Sequence, residues 1–344
     1  MKNRIIASLL STSLAISLFG GAAQIMSATK AVAQATADTA NIPQPHLAKA
    51  RALAAEENSW RHPALVTCYP NDGLASQNVD ADPPAYKVFD NLYYVGDGKI
   101  GLYAISTSAG IILIDAMSNT EEVERFIIPG LRKVGLDPAQ IKVLIIEHGH
   151  GDHYGGSQDL IEKYHPKVYM SEADWTSSIS DYAGKLAINP QHFGPPPAKR
   201  DQTATDGGTI TLGDETIRTY ITPGHTPGSL AFLIPVKDHG SPKLLAYYGG
   251  ITPPWQPEMV AAFTRSYERM SALMAEAKPD GFIASHPNYD DAVFNIEKMM
   301  TNPNIPNPFL IGTDGVVRYG KIISECGLNS ADLRAKVPGW PRRR

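Results

Sequence analysis

The sequence predicts an α+β fold, with two sheets packed face to face and helices on their outer sides. Strand-like runs rich in Val, Ile, Leu and Tyr fall into two groups, Tyr86 to Met170 and Thr209 to Ser285. Segments with helical periodicity flank each group, so each sheet has helices to cover its second face. The first group also delivers, straight after a β-branched run, a short loop crowded with His and Asp.

The chain starts outside this fold. Lys2 and Arg4 precede an apolar stretch, Ile5 to Phe19, that is too short to span a bilayer stably, and Ala31-Val32-Ala33 offers an A-x-A cleavage site. Residues 1–33 therefore read as a secretory signal peptide, 34–85 as an N-terminal extension and 86–344 as one domain. The expectation is a periplasmic or secreted protein with no membrane association in its mature form. Composition is that of a globular chain, 43% hydrophobic and 19% charged. A formal net charge of −4 without a basic stripe argues against a nucleic-acid partner, which needs clustered Lys and Arg. The two cysteines are Cys68 and Cys326. An oxidising compartment permits a bridge between them, tying the extension to the C-terminal segment; the alternative is two free buried thiols.

Within the extension, Leu47 to Glu57 has helix-forming composition and Pro63 to Pro84 reads as loop. His46 and His62 lack ligand-type neighbours and read as surface residues. Tyr86–Phe89, Leu92–Val95, Gly101–Ser106 and Gly110–Asp115 are consecutive strands separated by Asp-Asn, Gly-Asp-Gly and Ser-Ala-Gly turns. Asn119 to Val134 is an amphipathic helix stopped by Gly135. A buried strand, Ile141–Ile146, precedes the His-rich loop. A second helix, Gly155–Tyr164, and a strand, Lys167–Met170, follow it. Asp181 to Thr205 lacks periodicity and reads as a long loop bordering a cleft. Strands return at Thr209–Leu212, Thr216–Ile221, Ser229–Pro235 and Leu244–Tyr248. Pro257–Lys278 is a long helix, Gly281–Ser285 a short apolar strand ending at His286, and Tyr289–Met300 a helix. Asn307 to Gly327 closes the chain as loop and helix.

The loop itself runs Glu147-His-Gly-His-Gly-Asp-His-Tyr-Gly-Gly156 and holds four possible metal ligands, His148, His150, Asp152 and His153. Imidazole and carboxylate are the side chains that hold zinc. On an extended backbone His148 and His150 point the same way, leaving Asp152 and His153 to face a second position. The spacing suits two neighbouring ions better than one. Further along, Thr222-Pro-Gly-His225-Thr-Pro-Gly-Ser229 fixes a histidine between two Pro-Gly turns, as a ligand requires. Trp255 and Tyr154 are possible cleft-lining and supporting residues.

These motifs, over about Tyr86 to Met300, resemble the metallo-β-lactamase superfamily. The resemblance implies an αββα sandwich with two zinc ions at one edge. His148, His150 and His225 are then the ligands of the first, and Asp152, His153 and His286 those of the second. Many members carry a bridging aspartate after the strand that follows the third histidine, and some β-lactamases a cysteine. Here that stretch reads Ala246-Tyr-Tyr-Gly-Gly-Ile-Thr252, with neither. The pattern is most similar to the third subclass of class B β-lactamases. It departs from it at Glu147, where a small hydroxyl residue is usual, and in the substrate-binding serines, for which Thr252 is the nearest stand-in. The implied activity is hydrolysis of a small-molecule cyclic amide by a metal-bound hydroxide, with Asp152 orienting it and managing its proton. The alternative is a lactone or other ester hydrolase with little β-lactam activity.

If the leader is cleaved as read, the intact mass of the exported protein corresponds to a start near Gln34 or Thr36. A mature protein that retains Met1 contradicts the reading.

Overall fold

The computed structural model describes residues 42–55, 67–68, 84–188, 198–254 and 256–336, with backbone alone at 181 and 184–188. The leader, Trp255, His62, His192 and the run of prolines at 195–197 lie outside the described residues.

In chain order the elements are α1 (Pro45–Ala55), β1 (Tyr86–Lys87), β2 (Leu92–Tyr94), β3 (Tyr103–Thr107), β4 (Gly110–Ile114), α2 (120–133), β5 (Ile141–Ile145), α3 (Gly151–Tyr154), α4 (Ser157–Tyr164) and β6 (Lys167–Ser171). Then come α5 (Glu172–Ile188), β7 (Gln202–Ala204), β8 (Thr209–Leu212), β9 (Glu215–Ile221), β10 (Leu230–Asp238) and β11 (Ser241–Tyr248). The chain closes with α6 (Pro257–Ala277), β12 (Gly281–Ala284), α7 (Pro287–Asp290), α8 (Ala292–Thr301) and α9 (Gly312–Lys336). One sheet has seven strands in the order β1 to β7, and the other has five, ordered β12-β11-β10-β9-β8. The first is antiparallel through β4 and parallel from β4 to β7. The second is antiparallel except for the β11–β12 pair.

Alternation along the strands makes the layers. Ile112, Ile114, Val143 and Ile145 face inward and meet Phe232, Ile234, Tyr247 and Ile283 of the other sheet. Their sequence neighbours Ile111, Leu113, Leu144 and Ile146 face outward, against Val123, Leu131, Leu160 and Trp175 of the first helical layer. On the far side Leu233, Ala246 and Tyr248 pack under Phe263 and Tyr267 of α6 and Tyr319 and Ile323 of α9. The sandwich predicted from the two strand groups is therefore present, helices outermost.

Several expectations are corrected. Glu172 to Ile188 is one helix, reaching into the stretch that reads as loop, and Gln202–Ala204 is an edge strand paired with β6. The hydrophobic alternation that would announce either is weak because α5 buries only part of one face. The helix expected over Gly155–Tyr164 is present as Ser157–Tyr164, and a separate turn, Gly151–Tyr154, precedes it across Gly155-Gly156. A Cβ there would lie 1.9 Å from the Ser118 carbonyl oxygen at Gly155 and 2.2 Å from that of Ala116 at Gly156, so only glycine lets the loop after β4 approach. Helix α2 contains a π-helical turn, Val123–Ile127, just before Pro129. Proline has no N–H and clashes with the carbonyl four residues back, which the wider turn relieves.

The N-terminal segment docks on the far helical layer. Leu47, Ala50 and Ala54 of α1 are buried against the α6–α9 side. His46 is not a lone surface residue, since its Nδ1 donates to Glu325 Oε2 of α9 at 2.6 Å. Cys68 and Cys326 form a disulfide spanning 258 residues. Replacing Cys326 by Ser is expected to lower stability by about 2–4 kcal/mol, because a long closed loop restricts the unfolded chain. Urea unfolding of the wild type and variant, each with and without reductant, checks this; reductant should act on the wild type alone.

Candidate metal centre

The centre forms where strand ends from both sheets meet. Strand β5 runs into Glu147 and His148; β4 ends at Asp115; the turn between β9 and β10 carries His225; and β12 ends at Ser285 and His286. Asp152 and His153 sit on the single turn of α3, whose start is His150 in extended conformation (φ −92°, ψ 152°). All six residues expected to bind metal come together, in the two sets expected. The donor atoms of His148, His150 and His225 lie within 4.8 Å of one another, as do those of Asp152, His153 and His286.

Proton placement on the rings explains what these sets can do. His225 Nδ1 donates to the Thr252 carbonyl at 2.8 Å, His286 Nδ1 to that of Lys99 at 2.7 Å, and His153 Nδ1 to Asp115 Oδ2 at 2.9 Å. His148 Nδ1 donates to Glu147 Oε1 at 2.6 Å. In the neutral ring each of these four bonds fixes the Nδ1–H tautomer, which leaves Nε2 as a bare lone pair. His148 Nε2 lies 3.0 Å from His150 Nδ1 and 3.1 Å from His225 Nε2. Lone pairs converging at that spacing repel unless a cation sits among them, and zinc–nitrogen bonds of about 2.0–2.1 Å put ligand atoms roughly this far apart. Buried His153 Nε2 makes no hydrogen bond among the described residues, although Asp152 Oδ2 is 3.4 Å away. The donor set fits two zinc ions.

Electrostatics agree. Burial, reinforced by neighbouring imidazoles, holds His148 and His225 well below the ordinary histidine value, so both are neutral at pH 7. Burial and His153 lower His286 as well. Burial would also lower His153, but Asp152 and Asp115 hold it well above the usual value. Burial alone would raise Asp152; the charge of His153, with His286 and His150, keeps it well below the usual carboxylate range. Glu147 is pushed well above that range by burial, against the pull of His153. Side-chain exposure of 43% at Asp152 and 25% at His286 leaves the second set open to solvent, as a reacting centre must be.

The scaffold behind the ligands was only partly legible. Asp115 takes a left-handed backbone (φ 69°), tolerated by aspartate, and its other carboxylate oxygen accepts from the Glu147 N–H at 2.9 Å. Buried Asp174 on α5 had no sequence signal at all. It accepts from Gly149 N–H (2.9 Å), Gly228 N–H (2.9 Å), Thr226 Oγ1 (2.6 Å) and Ser177 Oγ (3.0 Å). One carboxylate thus bolts the His148–His153 loop to the His225 turn. Gly250, in the turn without a bridging ligand, has φ +60°, and a Cβ there would lie 2.7 Å from Ser229 Oγ and 2.9 Å from His225 Cβ. The turn supplies no bridging ligand, yet Ser229 and His225 both press against Gly250.

A cleft of about 290 Å³ opens beside the first set, lined by His150, His225, Ser177, Thr226, Gln256, Glu258 and Met259 among others. Thr252, the stand-in for a substrate-binding serine, does not line it. Its hydroxyl is engaged by the Tyr289 hydroxyl and its carbonyl by His225. Trp255 is outside the described residues, and Tyr154 is buried in the first helical layer's core.

Replacing Asp174 by Ala leaves the buried Gly149 and Gly228 N–H groups without their acceptor and cuts the tie between the two loops. It is expected to lower stability by about 2–4 kcal/mol and to weaken metal retention. Thermal unfolding and metal content after gel filtration check this; a variant matching the wild type in both would show that the tie is dispensable.

Residues 95–239 match the metallo-beta-lactamase superfamily. Among solved structures the chain is similar to BJP-1, a subclass B3 metallo-beta-lactamase of Bradyrhizobium japonicum, with 26% identity and a TM-score of 0.61, covering 73% of this chain and 94% of that one. It shares the fold of FEZ-1 from Legionella gormanii at 24% identity and a TM-score of 0.63, over 75% of this chain and 99% of that one. Among curated proteins it is similar to the N-acyl homoserine lactonase AttM of Agrobacterium fabrum, 29% identical over 173 residues, which are 50% of this chain and 57% of that protein. Sandwich, histidine sets and matches agree: residues 95–239 match the metallo-beta-lactamase superfamily, and the chain is similar in fold to the subclass B3 enzymes.

Proposed function

We propose that this chain is an exported di-zinc hydrolase that opens a cyclic amide. The observation that carries the reading is the pair of three-donor sets at one lip of the sandwich, each with its outward nitrogens pinned and its lone pairs aimed at a common space. Zinc bound there lowers the pKa of water to about 7 and polarises a carbonyl. His148, His150 and His225 would hold the ion nearer the cleft, and Asp152, His153 and His286 the other. Asp152, held ionised, orients the attacking water through its carboxylate and accepts its proton, then returns it to the leaving nitrogen. The similarity to BJP-1 supports the amide as substrate.

One observation favours a second reading, a lactone. Among the described residues, those lining the cleft include Glu258 and no Lys or Arg. β-Lactam antibiotics carry a carboxylate that a basic side chain would meet, whereas a lactone ring needs no cation. The similarity to the lactonase AttM points the same way.

Nitrocefin and a lactone panel assayed on one preparation separate the two. The protein is expected to bind about two zinc ions, to lose hydrolysis on chelation and to regain it with zinc. His225→Ala and His286→Ala are expected each to reduce turnover by orders of magnitude and to cost one ion. Asp152→Asn is expected to lose more activity than its metal loss explains. Full activity with full metal in either histidine variant would refute the assignment of that set.

A further inference from the structure

We infer that Glu147 is a positioning residue that ties the two histidine sets to one another. The inference rests on reading those sets as zinc ligands. Glu147 lies at the end of β5, fully buried, directly before the first histidine. Its Oε1 is 2.6 Å from His148 Nδ1, in the first set, and 3.4 Å from His153 Nδ1, in the second. The two rings lie against each other with centroids 3.9 Å apart. One carboxylate oxygen therefore faces the outward nitrogen of one histidine from each set. It is the only side-chain acceptor for His148 Nδ1 among the described residues, whereas His153 Nδ1 has Asp115 as its closer partner.

Glu147, His148 and His153 also bring donor atoms together as a third possible ion site. Geometry argues against an ion there. A separation of 2.6 Å is a hydrogen bond, while two ligands of one zinc stand about 3.3 Å apart at bond lengths of about 2.0–2.1 Å. The Nδ1 atoms are also the wrong nitrogens, since both Nε2 atoms belong to the outer sets.

The surroundings are shaped for this carboxylate. Its second oxygen, Oε2, points to Gly249, where an added Cβ would lie only 1.8 Å from it. The turn that carries no bridging ligand is thus the turn that makes room for Glu147. A serine or threonine at 147 would be too short to reach His148 Nδ1 in the same way. Glu147 Oε2 is buried and makes no hydrogen bond among the described residues. Burying a carboxyl with one oxygen unpartnered is unfavourable, and the fold accepts it where the group does something else. Here it fixes the tautomer and tilt of His148.

The test uses the full-length protein with zinc titrated against a chromophoric chelator. Glu147→Gln, which keeps shape without charge, is expected to weaken binding of the first ion about 10–100-fold, the usual cost of losing such a support, and to alter the visible absorption of the cobalt-substituted protein. Asp115→Asn serves as the comparison and is expected to weaken mainly the second ion. Should the Gln variant fail to fold, nitrogen-15 NMR of the zinc-loaded wild type decides instead, with His148 expected to carry its proton on Nδ1. Unchanged affinity and cobalt spectrum in Glu147→Gln, or an unprotonated His148 Nδ1 in the wild type, would overturn the inference. A wild type that binds no zinc would overturn the zinc reading itself, which separates the two failures.

Discussion

The centre depends on where protons sit on imidazole rings. A histidine is a ligand only through a nitrogen that bears no proton, and in a neutral ring one nitrogen always bears one. The fold settles the choice with acceptors drawn from four separate places: the Thr252 and Lys99 carbonyls, Asp115 and Glu147. Each acceptor takes an Nδ1 proton and turns the opposite lone pair inward. Without them the same rings would rotate and tautomerise freely, and the order of residues along the loop would carry no chemistry.

Placing those acceptors needs the sandwich. Parallel pairs β4–β5 and β11–β12 end side by side in their own sheets, so Asp115, Glu147, Gly249 and His286 all emerge from strand termini at one rim. Ligands in open sheets gather at such carboxyl ends because the backbone there has finished pairing and is free to turn. Packing of Ile114 and Ile145 against Tyr247 and Ile283 sets the separation of the sheets and with it the spacing of the ligands. Asp174 then fastens the loops that the strands leave hanging, and three of its four donors, Gly149, Thr226 and Gly228, come from segments remote from it in the chain.

Against the superfamily pattern, the turn at Gly249-Gly250 and the residue at 147 change together. A carboxylate is missing from the turn and present before the first histidine, and the two positions touch. The exchange moves a carboxyl group from the turn to a place behind His148. Among the described residues the cleft next to the first set has no Lys or Arg in its lining and carries Glu258.

The sequence by itself determined the sandwich, the six convergent side chains and the strand that presents them. Strand periodicity follows directly from burial on alternate faces, and a cluster such as His148 to His153 is local enough to read without a fold. It also determined that Cys68 and Cys326 were free to pair, though not that they do. Only the tertiary structure decided which nitrogen each histidine offers, because the acceptors at Lys99, Asp115 and Thr252 are remote in sequence and two of them are backbone carbonyls with no residue signature. The same holds for Asp174, a lone acidic residue on a weakly patterned helix, and for Thr252, whose hydroxyl and carbonyl are taken up by Tyr289 and His225. Side-chain type is written in the chain, but a hydrogen bond between distant segments exists only once packing has brought them within reach.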